Sequence, residues 1–144
     1  MVFDANLTMI NGVVMTTTTD AVAVTTSEHA TNKCKIVDLG ASIITGSPEG
    51  TGVNGISVAL ICTTSATSGN LVALVQASDS DTFATGIVTI GTFEDGSIAS
   101  TEAPFTFVIR VQTEMRYIRA SLTVDAGTWT TIWVVAGTHH LERL

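Results

Sequence analysis

Phe105-Thr106-Phe107-Val108-Ile109-Arg110-Val111 is the stretch that decides the fold. Phe105, Phe107, Ile109 and Val111 alternate with Thr106, Val108 and Arg110, and a period of two places one residue set on each face of a strand. Tyr117 to Val124 repeats the pattern, with Ile118, Ala120, Leu122 and Val124 directed inward and Tyr117, Arg119, Ser121 and Thr123 outward. Neither run shows the 3.6-residue period of an amphipathic helix.

Working outward, the same composition recurs at Asp20–Thr25, Cys34–Leu39, Ile56–Thr63, Leu71–Ala77, Gly86–Phe93 and Trp129–Ala136, with a weaker candidate at Asn11–Thr18. These runs are short, rich in Val, Ile, Thr and aromatic residues, and bounded by Gly, Asp, Asn or Ser, as strands are. Ser65–Asn70, Ser78–Thr82, Glu94-Asp95-Gly96 and Asp125-Ala126-Gly127 accept turn geometry at low steric cost. Both faces of Ile56–Ile61 and Leu71–Val75 are largely apolar, which calls for two packed sheets. The expectation is an all-β protein: a two-sheet antiparallel sandwich of jelly-roll type, with about eight strands and little helix. An immunoglobulin-like sandwich, whose Cys, Trp, Cys order is missing, and a small closed barrel are the alternatives. One domain spans residues 1–144, with a short tail from about residue 138.

Hydrophobic residues make up 45% of the chain and charged residues 13%, against roughly 25% charged in an ordinary soluble domain. Mean hydropathy is +0.43, so the chain has enough apolar surface to offset its ordering entropy and folds. Threonine and serine fill the polar deficit. Large interfaces shed charge from their centres, so such a surface suits a protein covered by neighbours. A net charge of −7 with only six Lys and Arg argues against nucleic acid as a main partner. No run of apolar residues is long enough for a membrane span, and the start Met1-Val2-Phe3-Asp4-Ala5-Asn6 does not read as a secretory signal, so cytoplasmic synthesis is expected. Without that signal the Asn6-Leu7-Thr8 sequon carries no weight. Cys34 and Cys62 read as small core residues.

The motifs that suggest chemistry have plainer readings. Gly50-Thr51-Gly52-Val53-Asn54-Gly55 matches GxGxxG, but a β-type run follows it where a dinucleotide site needs a helix, so it reads as a loop. Ser78-Asp79-Ser80-Asp81-Thr82, with Glu94 or Asp95, offers oxygen ligands for calcium, yet lacks EF-hand spacing and reads as a side-chain-capped turn. His29, His139 and His140 are the imidazoles, and His139-His140 lacks zinc-site spacing. No catalytic, cofactor-binding or metal-binding residues are assigned, and the chain is read as a non-enzyme without cofactors. A small hydrolase is the least supported class.

Arg110, Arg116 and Arg119 form an arginine cluster on two successive strand candidates. Guanidinium groups favour forked contacts to carboxylates, so Arg110, Arg116, Tyr117 and Arg119 are the candidate interface residues; the plain reading is a rim of solvent-facing charge. Trp129 and Trp133, four apart, fall on one strand face, as sheet core or as an exposed anchor patch.

Asp4-Ala5-Asn6-Leu7, Val37-Asp38-Leu39-Gly40, Gln76-Ala77-Ser78-Asp79-Ser80-Asp81-Thr82-Phe83 and Arg116-Tyr117-Ile118-Arg119, in that order, resemble the jelly-roll cement or decoration proteins of tailed bacteriophage capsids. The Thr16–Thr19 run and the tail from Thr138 fall outside the resemblance. It implies a virion protein on the capsid exterior that bridges neighbouring major capsid protein subunits, as a homodimer or homotrimer. The alternative function is a carbohydrate- or receptor-binding sandwich module of a virion, with tryptophan stacking on sugar.

Overall fold

The computed structural model describes residues 2–16, 22–23, 34–39 and 55–138. Ten strands occur among them: β1 (Val2–Thr16), β2 (Val22–Ala23), β3 (Val37–Asp38), β4 (Ile56–Cys62), β5 (Asn70–Ser78), β6 (Val88–Thr92), β7 (Ile98–Ala99), β8 (Phe105–Val111), β9 (Tyr117–Val124) and β10 (Thr128–Thr138). Two single 3₁₀ turns, Glu94–Gly96 and Ser100–Glu102, are the helical content of the described residues. The His29, His139 and His140 readings, most of the Gly50–Gly55 loop, most of Asp20–Thr25 and the tail beyond Thr138 lie outside the described residues.

The strands pair antiparallel in two sheets, one ordered β1-β10-β4-β8 and the other β2-β9-β5-β6, with β3 also on β9 and β7 also on β5. This is the jelly-roll order. β5 meets β6, β4 meets β8, and β1 meets β10, while β2 and β3 both lie on β9. The chain is therefore a long antiparallel ribbon bent at the β5–β6 connection and rolled so that β10 reaches β4 and β9 reaches β5. β2 and β3 act as two pieces of one strand, running the same way along β9, opposite Leu122-Ser121 and Ile118-Tyr117.

The alternation read in Phe105–Val111 and on the inner face of Tyr117–Val124 builds the core. Ile118, Ala120, Leu122 and Val124 of β9 are buried against Leu71, Ala73, Val75 and Ala77 of β5 and Ile56, Val58, Leu60 and Cys62 of β4. Trp129, Phe93, Met9 and Met15 are among the largest fully buried side chains. Trp129 stacks edge-on to Phe105 and donates its indole N–H to the Ser68 carbonyl at 3.2 Å, so its one polar atom is satisfied inside the core. Cys34 and Cys62 are buried free thiols, as the sequence suggested.

Two sequence expectations change. Residues Arg119 and Ser121, assigned to the solvent face of β9, are both buried, and the cover over Arg119 is described below. Trp129 and Trp133 do not share a face. Met15 and Val13 of β1 pair with Trp129 and Ile132 of β10, so β10 carries one residue too many there, with Thr131 at φ 57. A bulge of one residue inverts the alternation beyond it. Trp129, Ile132, Val134 and Ala136 consequently face the core, and Trp133 turns outward with Val135. Bulges also account for the weak signal of β1, whose register slips four times along β10.

Candidate docking faces

The roll brings together three of the four strings that carry the capsid-protein resemblance. Pairing of β3 with β9 sets Asp38 opposite Tyr117, and pairing of β5 with β9 sets Gln76 opposite Arg119 and Ser78 opposite Tyr117. All lie on the outer face of the β2-β9-β5-β6 sheet. Arg116 makes a forked contact with Asp38, Nε to Oδ1 at 2.9 Å and Nη2 to Oδ2 at 3.0 Å, while its backbone N–H donates to Asp79 Oδ1 at 3.1 Å. Its guanidinium stands 5.2 Å from the Tyr117 ring centre. The side chains of Arg116 and Asp38 are 47% and 32% exposed, so solvent screening leaves this pair about 1 kcal/mol or less.

Arg119 is held differently. Its Nε donates to Gln76 Oε1 at 2.9 Å, and its guanidinium lies 4.4 Å from the ring centre of Phe83, which folds down from the β5–β6 connection. Burial disfavours the charged form and lowers its pKa from the ordinary arginine value. The connection is cinched by side chains: Ser78 Oγ donates to the Thr85 carbonyl at 2.7 Å and accepts from Ser80 N at 3.0 Å, and Ser80 Oγ accepts from Ala84 N at 3.3 Å. The expected capped turn at Ser78–Thr82 is thus present. Phe83 sits at φ 53, a left-handed conformation that costs a bulky residue on the order of 1–3 kcal/mol. Its burial to 4% exposure and its ring contact with Arg119 offset that strain.

Arg110 does not belong to this cluster. β8 and β9 follow each other in sequence but lie in different sheets, so Arg110 projects from the outer face of the β1-β10-β4-β8 sheet, opposite Ser57. The reading of three arginines on adjacent strands is corrected accordingly: Arg116, Tyr117 and Arg119 form one group, and Arg110 sits on the other sheet. Consecutive strands can be spatial neighbours or can cross the sandwich, and periodicity does not distinguish the two.

The face that carries Arg110 is apolar at its centre. Cross-strand rows run Val135, Ala59, Val108 and Trp133, Ile61, Thr106. Val14 of β1 and Val108 of β8 are 56% and 53% exposed. Trp133 is half-buried; a Cβ on Gly12 would stand 3.1 Å from its Cζ2, so the indole lies against the glycine of the neighbouring strand. Among the described side chains of this face Arg110 is the charged residue, and none is a carboxylate.

In sequence the chain matches no family model and no curated protein. Its two outer faces therefore speak for themselves. One is a polar network closed within the chain; the other is an apolar face with Val14 and Val108 exposed on its two outer strands, Ala59 and Val135 buried between them, and Arg110 as its charged residue. Among the described residues no group of three or more His, Cys, Asp or Glu side chains is placed to hold a metal ion, and no helix is long and apolar enough to cross a membrane. Cys34 is pushed up to about 11 by burial, and Cys62 is raised for the same reason, so both remain neutral thiols at physiological pH. Sequence reading overlooked Asp38, Gln76 and Phe83 as arginine partners and Ile61 as an outward residue; of the two tryptophans weighed as core or exposed anchor, Trp129 is core and Trp133 is outward. Asp38 and Arg116 are 78 positions apart, and only the strand order joins them.

Proposed function

We propose that this chain is a structural, non-enzymatic protein of a virion: a capsid decoration or cement protein that docks on the outside of the shell and bridges major capsid protein subunits. The observation that carries this reading is the outer face of the β1-β10-β4-β8 sheet, where Val14 and Val108 are more than half exposed beside Ile61 and Trp133. Burying the exposed half of one such side chain contributes about 1 kcal/mol. A shell repeats the site many times, so modest contacts at each subunit add up through effective concentration. The mechanism is mass action: a protein that binds only the assembled shell stabilises that state by its binding free energy.

Shells assembled with and without the purified chain test the reading. Shells carrying it are expected to melt at higher temperature and to survive greater osmotic shock; equal stability with the chain bound, or no binding, defeats the proposal. The carbohydrate-binding alternative loses Trp129, which is fully buried, and keeps only Trp133. Glycan binding abolished by Trp133→Ala, without shell binding, would favour it.

A further inference from the structure

The polar network on the outer face of the β2-β9-β5-β6 sheet is closed within the chain except at one group, the guanidinium of Arg119. Arg119 is only 8% exposed. Its Nε–H donates to Gln76 Oε1 at 2.9 Å, and one flat side lies against the Phe83 ring, whose centre is 4.4 Å away. Neither partner carries a charge. Among the described residues Arg119 has no ion pair, and its two Nη groups have no hydrogen-bond acceptor. The described residues contain no fully buried side-chain nitrogen or oxygen without a partner, so these Nη groups are where solvent reaches the side chain. Two carboxylates near it in register are committed elsewhere: Asp38, opposite Tyr117, takes the Arg116 fork, and Asp79 accepts the Arg116 backbone N–H. A buried charge is ordinarily paired, because its lost hydration is otherwise uncompensated.

We infer that Arg119, held by Gln76 and Phe83, is a binding site for one carboxylate, which its two Nη groups take as a fork. The Nη edge of a guanidinium presents parallel N–H bonds at the spacing of two carboxylate oxygens. With Nε and one flat side already occupied, that edge is what remains, and a side chain so held loses little rotamer freedom when the edge is used. One guanidinium offsets one negative charge, and Arg116, the other arginine of the cluster, already holds Asp38. On a chain of net charge −7, a singly charged carboxylate therefore suits the site better than a phosphate dianion. Phe83 keeps water from one side of the pair, which strengthens the contact relative to an exposed ion pair. It is kept in place by the Ser78 and Ser80 bonds that tie its loop. Gln76 is a positioning residue: its neutral amide orients the guanidinium and leaves the charge for an outside group. A free small carboxylate and an Asp or Glu side chain of a neighbouring protein present the same group to this fork. The site stands apart from the proposed shell contact, which uses the other sheet.

Nitrogen–proton correlation spectra of the arginine-labelled full chain, titrated with sodium acetate at constant ionic strength, test it. The expected result is a saturable shift of the Arg119 guanidinium resonances and a melting temperature that rises with acetate. Sodium chloride and phosphate at the same ionic strength are expected to give neither. Arg119→Lys, which keeps the charge without the fork, is expected to weaken acetate binding at least about tenfold. Gln76→Glu keeps the test decisive should that variant fold poorly: it is expected to melt higher than the unaltered chain and to abolish the acetate response, because the internal carboxylate takes the guanidinium. N-acetylaspartate methylamide, titrated in parallel, separates the sources. A response to it as well as to acetate assigns the fork to a protein side chain, and a response to acetate alone assigns it to free small carboxylates. No saturable response to acetate, an equal response to chloride or phosphate, or a Gln76→Glu variant that melts lower and still responds overturns the inference. Shell binding is read separately by the shell-stability experiment, and neither result decides the other.

Discussion

At the scale of single residues, Arg119 carries the most consequence. Sequence alternation places it on the outer face of β9 correctly, yet Phe83 covers it, so it behaves as a buried cation whose Nε–H and flat face are both in use. Arg119→Lys keeps the charge but loses the planar stack and the directed contact to Gln76. The expected loss is about 1–2 kcal/mol in urea unfolding, with Gln76→Ala adding less than its own effect in the double variant because both act on one contact. An additive double variant would show that the two side chains do not cooperate. Cys34 supplies a pH signature. Its folded-state pKa of about 11 lies above the ordinary thiol value, so the native state holds its proton where the unfolded chain has released it. The stability associated with it is complete below about pH 8.5 and is lost as pH rises through about 11. Urea midpoints measured from pH 8 to pH 11 are expected to fall, and Cys34→Ala is expected to flatten part of that decline. Iodoacetamide is expected to alkylate Cys34 only after unfolding, as mass spectrometry would read directly.

At the scale of elements, the turns that close the sheet ends were legible and their partners were not. Asp125-Ala126-Gly127 reads as a turn from composition, and it is one, but it also clasps the Ser68–Asn70 connection: Asp125 accepts from the Asn70 backbone N–H at 2.7 Å and from its side-chain amide at 3.1 Å. Those bonds, the backbone one first, hold the Asp125 carboxyl below the ordinary carboxylate pKa. A depressed pKa means that its contribution is present above the unfolded-state value and is lost as pH falls through the folded-state value. Asp125→Asn is expected to flatten the acid limb of the stability profile, and an unchanged limb would assign acid sensitivity elsewhere. Gly127 sits at φ +74, where a Cβ would come within 2.5 Å of the Ser68 carbonyl oxygen and 2.7 Å of its backbone nitrogen. Gly127→Ala combines left-handed strain with a backbone clash, so a loss of about 2 kcal/mol or more is expected in denaturant unfolding. The bulge at Thr131 shows the opposite limit. A single extra residue sends Trp133 to the surface and keeps Trp129 in the core, and composition holds no sign of it.

At the scale of the whole molecule, the sandwich separates two outer faces with different work. Val108→Lys puts a charge on the exposed outer face of β8, the last strand of the β1-β10-β4-β8 sheet, where surface substitution changes stability by roughly 0.5 kcal/mol or less. Under the proposed function it is expected to weaken shell binding at least about tenfold while leaving the melting temperature nearly unchanged; retention of full shell affinity would move the docking site off this face. The polar cluster around Arg116 and Arg119 is not expected to respond in the same way, since the Arg116 fork and the Arg119 Nε–H are already engaged within the chain.

The amino-acid order by itself determined that this chain is all-β, where most of its strands run, and which side of β8 and the inner side of β9 enter the core. Those properties follow from a two-residue period and from turn chemistry, both local. Strand order, the crossing from β8 to β9, the meeting of Asp38 with Arg116 and of Phe83 with Arg119, and the parity of Trp133 were decided only by the tertiary structure. Each depends on which distant strands share hydrogen bonds and in what register. A period of two is the same whichever neighbour a strand chooses.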